Sequence, residues 1–496
     1  MNRDKMLQRI KEEKEWDIII IGGGATGLGS AVDAATRGYK TLLIEQFDFG
    51  KGTSSRSTKL VHGGVRYLEH GNIKLVMEAL RERGYLLKNA PHITAALPFI
   101  VPVYSSLNKL YYGTGLKLYD ALSGKLSLGK TRILNKEKTL RFLPGICDTN
   151  LKGGILYYDG QFDDARLAVE LAITAANYGA GILNYCEVID LTKTNNKITG
   201  VVFEDIIDEI TYEVKSKVVI NSTGVFADSI MQLDEPDENI LVTPSQGIHL
   251  VVDKKFFPGN NAMMIPKTDD KRVLFAVPWH DKVVLGTTDT PVDEISFDPQ
   301  PLEEEIEFVI QHANRYLEQI ITRKDVRSMF AGLRPLVRKR GTKNTSLLSR
   351  DHTIVVSKAG LITITGGKWT TYRKMAEDAI DNAAFVAKLP QKDCVTKTLA
   401  IGYSKDDIAN EENNYVHESL HFTQKDIERF VQKEMAITVE DVLARRTRLL
   451  FLDAYAAIDA AKPVAKILAS VMKKDESWIN EQVESFTELA KQYCIG

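Results

Sequence analysis

The sequence predicts an α/β fold through about residue 388 and a small all-helical domain after it. Three observations carry this expectation. Residues 18–21 are a short β-branched run of the kind that forms a buried parallel strand. The turn Gly22-x-Gly24-x-x-Gly27 follows, then the small-residue-rich run 28–36, which reads as a helix stopped near Gly38, and a second buried strand ending at Glu45. From about residue 416 the apolar spacing (Leu443, Leu449, Ala457, Ile467) is helical throughout.

Further strands are expected at 217–221, 250–252, 273–277, 283–286, 353–356 and 361–365, and helices at 73–88, 165–178, 302–317 and 371–387. Residues 389–415 read as a linker, with Pro390, scattered charge and an Asn-Glu-Glu-Asn-Asn run. Thr423 with Asp426, and Thr438 with Asp441, are capping-box-like helix starts.

A chain of 496 residues has room for two or three domains of roughly 100–200 residues each. Lys plus Arg total 64 and Asp plus Glu 66, a net charge of −2, so no global pull toward nucleic acid exists. Cys147, Cys186, Cys394 and Cys494 lie far apart, with no metal-ligand spacing, which fits a reducing compartment. Residues 1–16 mix acids and bases, unlike a signal or transit peptide. No apolar run reaches the about 18 residues a membrane span needs. The expectation is a cytoplasmic protein, peripheral on the membrane face.

Each glycine of the turn has a physical task. Gly22 permits the tight turn after the strand, Gly24 lets the backbone approach a pyrophosphate, and Gly27 lets the helix pack on the sheet. The helix start then offers amides and a positive dipole end to phosphates. Glu45, 18 residues after Gly27, suits ribose hydroxyls and would repel a 2′-phosphate. A glycine turn binding nothing is the bland alternative, and the full strand–turn–helix–strand–acid order weighs against it.

The glycines alone do not separate FAD from NAD. Two later turns favour FAD. Asn221-Ser222-Thr223-Gly224 closes one strand, and Gly366-Gly367-Lys368-Trp369-Thr370-Thr371 closes another and opens a helix. The second could aim amides and Lys368 at a flavin, where positive charge stabilises the reduced anion. No second Gly-x-Gly-x-x-Gly occurs, so electrons are expected to leave to something other than nicotinamide.

The run GKGTSSRSTKLVHGGVRYLE from Gly50 resembles a signature of the FAD-dependent glycerol-3-phosphate dehydrogenases. So do YYDGQFDDARL from Tyr157, IPKTDDKRVLFAVPW from Ile265, GTTDTP from Gly286, AGLRPL from Ala331, GGKWTTYRKMAEDAID from Gly366 and the C-terminal VEDVLARRTRLLF. The resemblance spans nearly the whole chain. It implies a doubly wound FAD-binding domain of the glutathione-reductase-like type, within the D-amino-acid-oxidase-like group. That domain would take about 1–90, 150–245 and 330–388, with a β-sheet substrate domain at about 91–149 and 246–329. It also implies oxidation of sn-glycerol 3-phosphate to dihydroxyacetone phosphate, with FAD accepting hydride and a membrane quinone taking the electrons. Implied flavin contacts are Gly22, Gly24, Gly27, Glu45, Thr53, Ser54, Lys59, His62, Gly224, Asp289, Gly367, Lys368 and Thr371. Implied substrate contacts are Arg66, Tyr67, His249, Arg334, Arg350 and Lys368.

The chemistry suits these residue types. A phosphate needs clustered Arg or Lys, and Arg334, Arg350 and Arg66 could converge on it, with Arg338 and Arg340 as neighbours easily confused with them. Alcohol oxidation needs a base, for which His249 is the candidate and a structural histidine the bland reading. The chain has Gly-Ile-His where the family usually has Gly-Ser-His, which puts a hydrogen bond beside His249 in doubt. His62 is expected to orient the flavin or substrate. The spacing of Asp148, Asn150, Gly153 and Asp159 loosely follows a calcium loop, but Lys152 occupies a ligand position.

Segment 101–132 mixes Tyr, Leu and Lys with Asp120 as its single acid, a composition suited to a lipid interface or an ordinary loop. A homodimer is left open. Rival readings are a glycerol-3-phosphate oxidase that makes peroxide, an amine or amino-acid oxidase, and a flavin-carrying binding module without catalysis.

Overall fold

Trp16–Ile21 is the strand around which the first sheet is built; Thr41–Ile44 pairs parallel on one side and Ile210–Asn221 on the other. The computed structural model describes residues 1–69, 71–236, 240–266, 268–269, 272–337, 352–402 and 415–495. The sheet runs His352–Val356, Ile362–Gly366, Ile210–Asn221, Trp16–Ile21, Thr41–Ile44, Gly181–Leu183. Ile18 to Ile21 are buried on both faces, which is why the run is apolar without alternation. Helices Ala25–Thr36, Asp164–Asn177 and Tyr372–Val386 cover one face through Leu28, Leu171 and Ile380. The other face packs on the antiparallel pair Cys186–Thr194 and Lys197–Asp205 and on helix Arg3–Glu12.

That N-terminal helix is not visible in the sequence pattern. Its buried apolar residues are Leu7 and Ile10 among many charges, and Asn2 caps it by accepting from the Lys5 amide. Helix Ser106–Ser123 was hidden too, inside the segment read as a lipid interface or an ordinary loop; Ser105 caps it, Leu116 and Tyr119 face inward, and Leu107 and Leu110 face out.

The second sheet, the one expected to take the substrate, has ten strands among the described residues. Val242–Asp253 pairs along its length with Val326–Val337, bringing Gly247 opposite Gly332 and His249 opposite Phe330. Leu60–Val61, Gly153–Phe162 and Val326–Val337 all belong to this sheet. The sequence expectation had assigned the first two, and residues 330–337 of the third, to nucleotide-binding segments. A buried apolar run looks the same in either sheet, and only its pairing partner decides.

After the linker region the chain is helical except for one strand pair, Tyr415–His417 with Leu420–Thr423, a correction to the all-helical expectation. Thr423 and Asp426 form the expected capping box. Thr438 and Asp441 exchange the same two hydrogen bonds, but the turn they open, Asp441–Arg446, is a π-helix. The helices pack on the substrate sheet through Phe451, whose ring centroid is 5.1 Å from that of Phe330. Among the described residues no helix is long and apolar enough to cross a membrane.

Candidate active site

Ile21 is in register with Asn221, and Asn221 with Thr363, so three turns leave the first sheet at one edge. They are the glycine turn, the turn at Gly224 and the turn at Gly367. Gly22 has φ +103°, and a Cβ there would stand 2.9 Å from the Ser222 carbonyl oxygen. A Cβ on Gly27 would fall 1.9 Å from the Gly22 carbonyl oxygen, so the helix can sit this close only without one. At Gly24 an added Cβ would meet Ser54 Oγ at 3.2 Å. Helix Ala25–Thr36 starts with no side-chain cap from Gly24 and no acid in its first turn. Its start is left for an anion, and the pyrophosphate of FAD fits that cradle.

Ser54 Oγ accepts from the Ala25 amide at 2.9 Å, and its neighbour Thr53 lines the adjoining cavity and donates to the Leu333 carbonyl at 2.6 Å. Glu45 ends its strand as expected. Its carboxylate, however, accepts from the amides of Gly23 at 2.5 Å and Phe47 at 2.8 Å, which fixes the turn itself. Burial pushes its pKa up despite these two bonds.

A cavity of about 920 Å³ lies against the substrate sheet, bounded by Gly367, Lys368 and Thr370 on the flavin-turn side. His62 and Tyr67 line it. The His62 amide donates to Thr370 Oγ1 at 3.1 Å, and Lys368 Nζ sits 4.1 Å over the Tyr67 ring. Thr371 Oγ1 donates to the Lys368 carbonyl at 3.2 Å, and the Gly224 carbonyl accepts from Thr365 Oγ1 at 3.2 Å. Under the His62 loop, the Tyr119 hydroxyl accepts from the Gly63 amide at 2.7 Å and donates to Asp159 at 2.8 Å.

His249 stands between two strand neighbours that make room for it. Its ring stacks on Phe330, centroids 4.9 Å apart. On the other side is Gly286, where a Cβ would lie 2.4 Å from His249 Cδ2. Nε2 is 2.9 Å from Thr58 Oγ1. Burial, with Lys59 and Arg334 nearby, drives the imidazole pKa well below its ordinary value, so the ring is neutral at physiological pH. Ile248, the departure from the family pattern, points into the apolar cluster, while its amide donates to Thr288 Oγ1 at 3.0 Å.

Arg334 shares the cavity wall. Nη1 donates to the Gln246 carbonyl at 3.1 Å and to Asp289 at 3.3 Å; Nη2 donates to Thr287 Oγ1 at 3.1 Å and the Thr288 carbonyl at 2.9 Å. A Cβ on Gly247 would be 2.2 Å from Nη2. The guanidinium is thus held in one place, at the cost of engaging its terminal donors. Asp289, expected at the flavin, lines the same cavity, accepts from Ser245 Oγ and pairs with Arg334.

Lys59 differs most from expectation. Its ammonium is fully buried away from the cavity, 2.7 Å from the Ser55 carbonyl and 2.8 and 2.9 Å from the two Asp164 oxygens. The rings of Trp279, Phe330 and Phe451 surround it at 4.8, 5.3 and 5.1 Å. Arg350, Arg338 and Arg340 lie outside the described residues, as does the side chain of Arg66. In the calcium-like spacing, Asp148 pairs with Lys136 at 3.1 Å and Asp159 with Arg83 at 2.7 Å, so both carboxylates already hold cations. Thr58, Thr287 and Tyr119 were missed; hydroxyls inside ordinary-looking runs carry no pattern of their own.

The FAD dependent oxidoreductase family model matches residues 17–373, and that for the C-terminal domain of alpha-glycerophosphate oxidase matches 364–478. The mitochondrial glycerol-3-phosphate dehydrogenase of Homo sapiens is 38% identical over 98% of this chain and 74% of that protein. The glycerol-3-phosphate dehydrogenase of Bacillus halodurans, solved with FAD, superposes with a TM-score of 0.80 at 29% identity, over 99% of this chain and 97% of that one. The L-alpha-glycerophosphate oxidase of Mycoplasma pneumoniae shares the fold at 17% identity, TM-score 0.61, over 79% of this chain and 100% of that one. The fold and the glycine cradle define an FAD-dependent oxidoreductase. Within that class the chain belongs to the FAD-dependent glycerol-3-phosphate dehydrogenase family.

Proposed function

We propose that this protein oxidises sn-glycerol 3-phosphate to dihydroxyacetone phosphate and passes the electrons on to a membrane quinone. One observation supports this above the rest: a neutral, buried His249 and the cations Arg334 and Lys368 border a single cavity beside the flavin turn. A phosphate needs the cations, and a secondary alcohol needs a proton acceptor. FAD, when bound, would supply the hydride acceptor, and Gly22, Gly24, Gly27 and the Gly367–Lys368 turn would hold it.

Quinone rather than oxygen as acceptor is supported by helix Ser106–Ser123. It lines the same cavity, yet Leu107 is 82% and Leu110 69% exposed. An apolar helix face at the cavity mouth suits a bilayer surface from which a quinone could enter. The oxidase reading draws on the match of the C-terminal region to an oxidase domain. Anaerobic mixing with glycerol 3-phosphate should bleach the flavin, and a spectrum that does not change overturns the substrate. Re-oxidation by a short-chain ubiquinone without stoichiometric peroxide is expected; one peroxide per substrate overturns the quinone.

A further inference from the structure

Thr58 and His249 line the same cavity side by side. Its side chain lines the cavity, and Oγ1 is 2.9 Å from Nε2. His249 itself is only 3% exposed, and its Nδ1 is buried without a hydrogen-bond partner among the described residues. Nε2, the ring nitrogen that is hydrogen-bonded among the described residues, is thus engaged by a hydroxyl on a residue that lines the same cavity.

The chain holds this hydroxyl in place from both sides. Ser57 donates to Asp164 Oδ2 through its amide at 3.1 Å and its hydroxyl at 2.7 Å. Lys59, with φ 64°, turns its ammonium to the same Asp164 inside the aromatic cage. Both neighbours of Thr58 are thus tethered to one fully buried carboxylate. A left-handed backbone at a non-glycine residue is tolerated where surrounding contacts over-determine it, as here.

We propose that Thr58 relays the substrate's hydroxyl proton to His249 Nε2. The inference rests on the proposed alcohol substrate. The hydroxyl donates to Thr58 Oγ1, and Thr58 donates to Nε2, which requires the tautomer carrying hydrogen on Nδ1. During oxidation the C–H bond breaks and its electron pair leaves as hydride to the flavin that the family uses. The hydroxyl proton moves to Oγ1 while the Thr58 proton moves to Nε2, and the C–O bond becomes C=O. The alcohol loses one hydride and one proton, and Thr58 ends as it began. Burial first, and then Lys59 and Arg334, keep His249 neutral beforehand, with Asp164 and Asp289 paired to those cations; a bound phosphate dianion would ease the imidazolium that forms.

The rate of flavin reduction by glycerol 3-phosphate, measured anaerobically in mixtures of H₂O and D₂O, tests the relay on the unaltered protein. Two protons in flight give a bowed dependence on deuterium fraction, and a straight line overturns the relay. Thr58→Val should retain FAD and lose about 100-fold in reduction rate, the scale of general acid–base assistance. Thr58→Ser should restore most of it. A Thr58→Val rate equal to the unaltered protein overturns the proposal. If the flavin of the unaltered protein is not reduced at all, the substrate reading fails instead. The contact is then tested by ¹⁵N NMR of histidine-labelled holoprotein, where the His249 Nε2 signal should move in Thr58→Val and stay in Thr58→Ser; an unmoved signal in Thr58→Val overturns it.

Discussion

Asp48 and Arg446 are 398 residues apart in the chain and meet as a fully buried, two-pronged ion pair, Nη1 to Oδ2 at 2.7 Å and Nη2 to Oδ1 at 2.9 Å. Arg445 donates to the same carboxylate. Asp48 follows Glu45 on the segment that leads to Ser54, so the pair ties the helical domain to the nucleotide-binding turn. Removing one partner of such a pair leaves an uncompensated buried charge. Asp48→Asn should lower unfolding free energy by roughly 3–5 kcal/mol, read from denaturant midpoints. An unchanged midpoint would show that the contact between the two regions does not depend on this pair.

The same network sets an acid limit. Burial alone would raise the Glu440 pKa, but Arg445 and Lys51 outweigh it and hold it down from 4.5 to about 2. A carboxylate whose pKa is depressed on folding binds protons more readily unfolded, so its contribution is fully present above about pH 4.5 and fades as pH falls toward about 2. Glu440→Gln should flatten the melting temperature against pH in that window. A curve of unaltered slope there would assign the acid loss to other groups.

His249→Ala should cut turnover by about 10²-fold or more while FAD stays bound, as expected for a lost proton acceptor. Gly286→Ala tests the same ring from behind, because its Cβ would also crowd the Ile248 carbonyl oxygen at 2.8 Å and leave the imidazole little room. Steady-state rates with flavin content measured in parallel separate the chemistry from cofactor loss. Normal turnover in His249→Ala removes the histidine from the mechanism.

Arg334→Ala should act mainly on substrate affinity, by roughly 10- to 100-fold, the scale of a lost charged hydrogen bond. Because the guanidinium also holds Thr287 and the Thr288 carbonyl, Arg334→Lys should restore little: a single ammonium cannot reproduce the fork. Gly247→Ala should raise KM with a smaller change in kcat, since the Cβ would push the Arg334 guanidinium and Thr287 Oγ1 out of their places. A KM that stays put in Arg334→Ala argues against a phosphate contact.

Helix Ser106–Ser123 can be probed by Leu107→Glu with Leu110→Glu, two exposed positions whose change should leave the core intact. Sedimentation with anionic vesicles at low salt should fall several-fold, with flavin reduction by glycerol 3-phosphate unaltered. Equal vesicle binding by the double variant places any membrane contact elsewhere.

The glycine cradle was legible because local geometry demands it: a strand, a left-handed turn and a helix whose Gly27 would place a Cβ 1.9 Å from the Gly22 carbonyl oxygen admit few sequences. His249 and Arg334 were legible only through long family motifs. The hydroxyl of Thr58 was not, since one threonine among serines carries no periodicity. For Lys59 the motif fixes its position in the chain but not the direction of its side chain, and that direction follows from Asp164 and the three rings around it.

By itself the sequence determined the parallel nucleotide-binding unit, the helical C-terminal region and the family, because each is written in contiguous residues whose spacing matches one backbone period. Tertiary structure alone decided which sheet received Gly153–Phe162 and Val326–Val337, which arginine met Asp48, and which hydroxyl faced His249. Those outcomes depend on pairings between residues far apart in the chain, and pairing energy has no local signature.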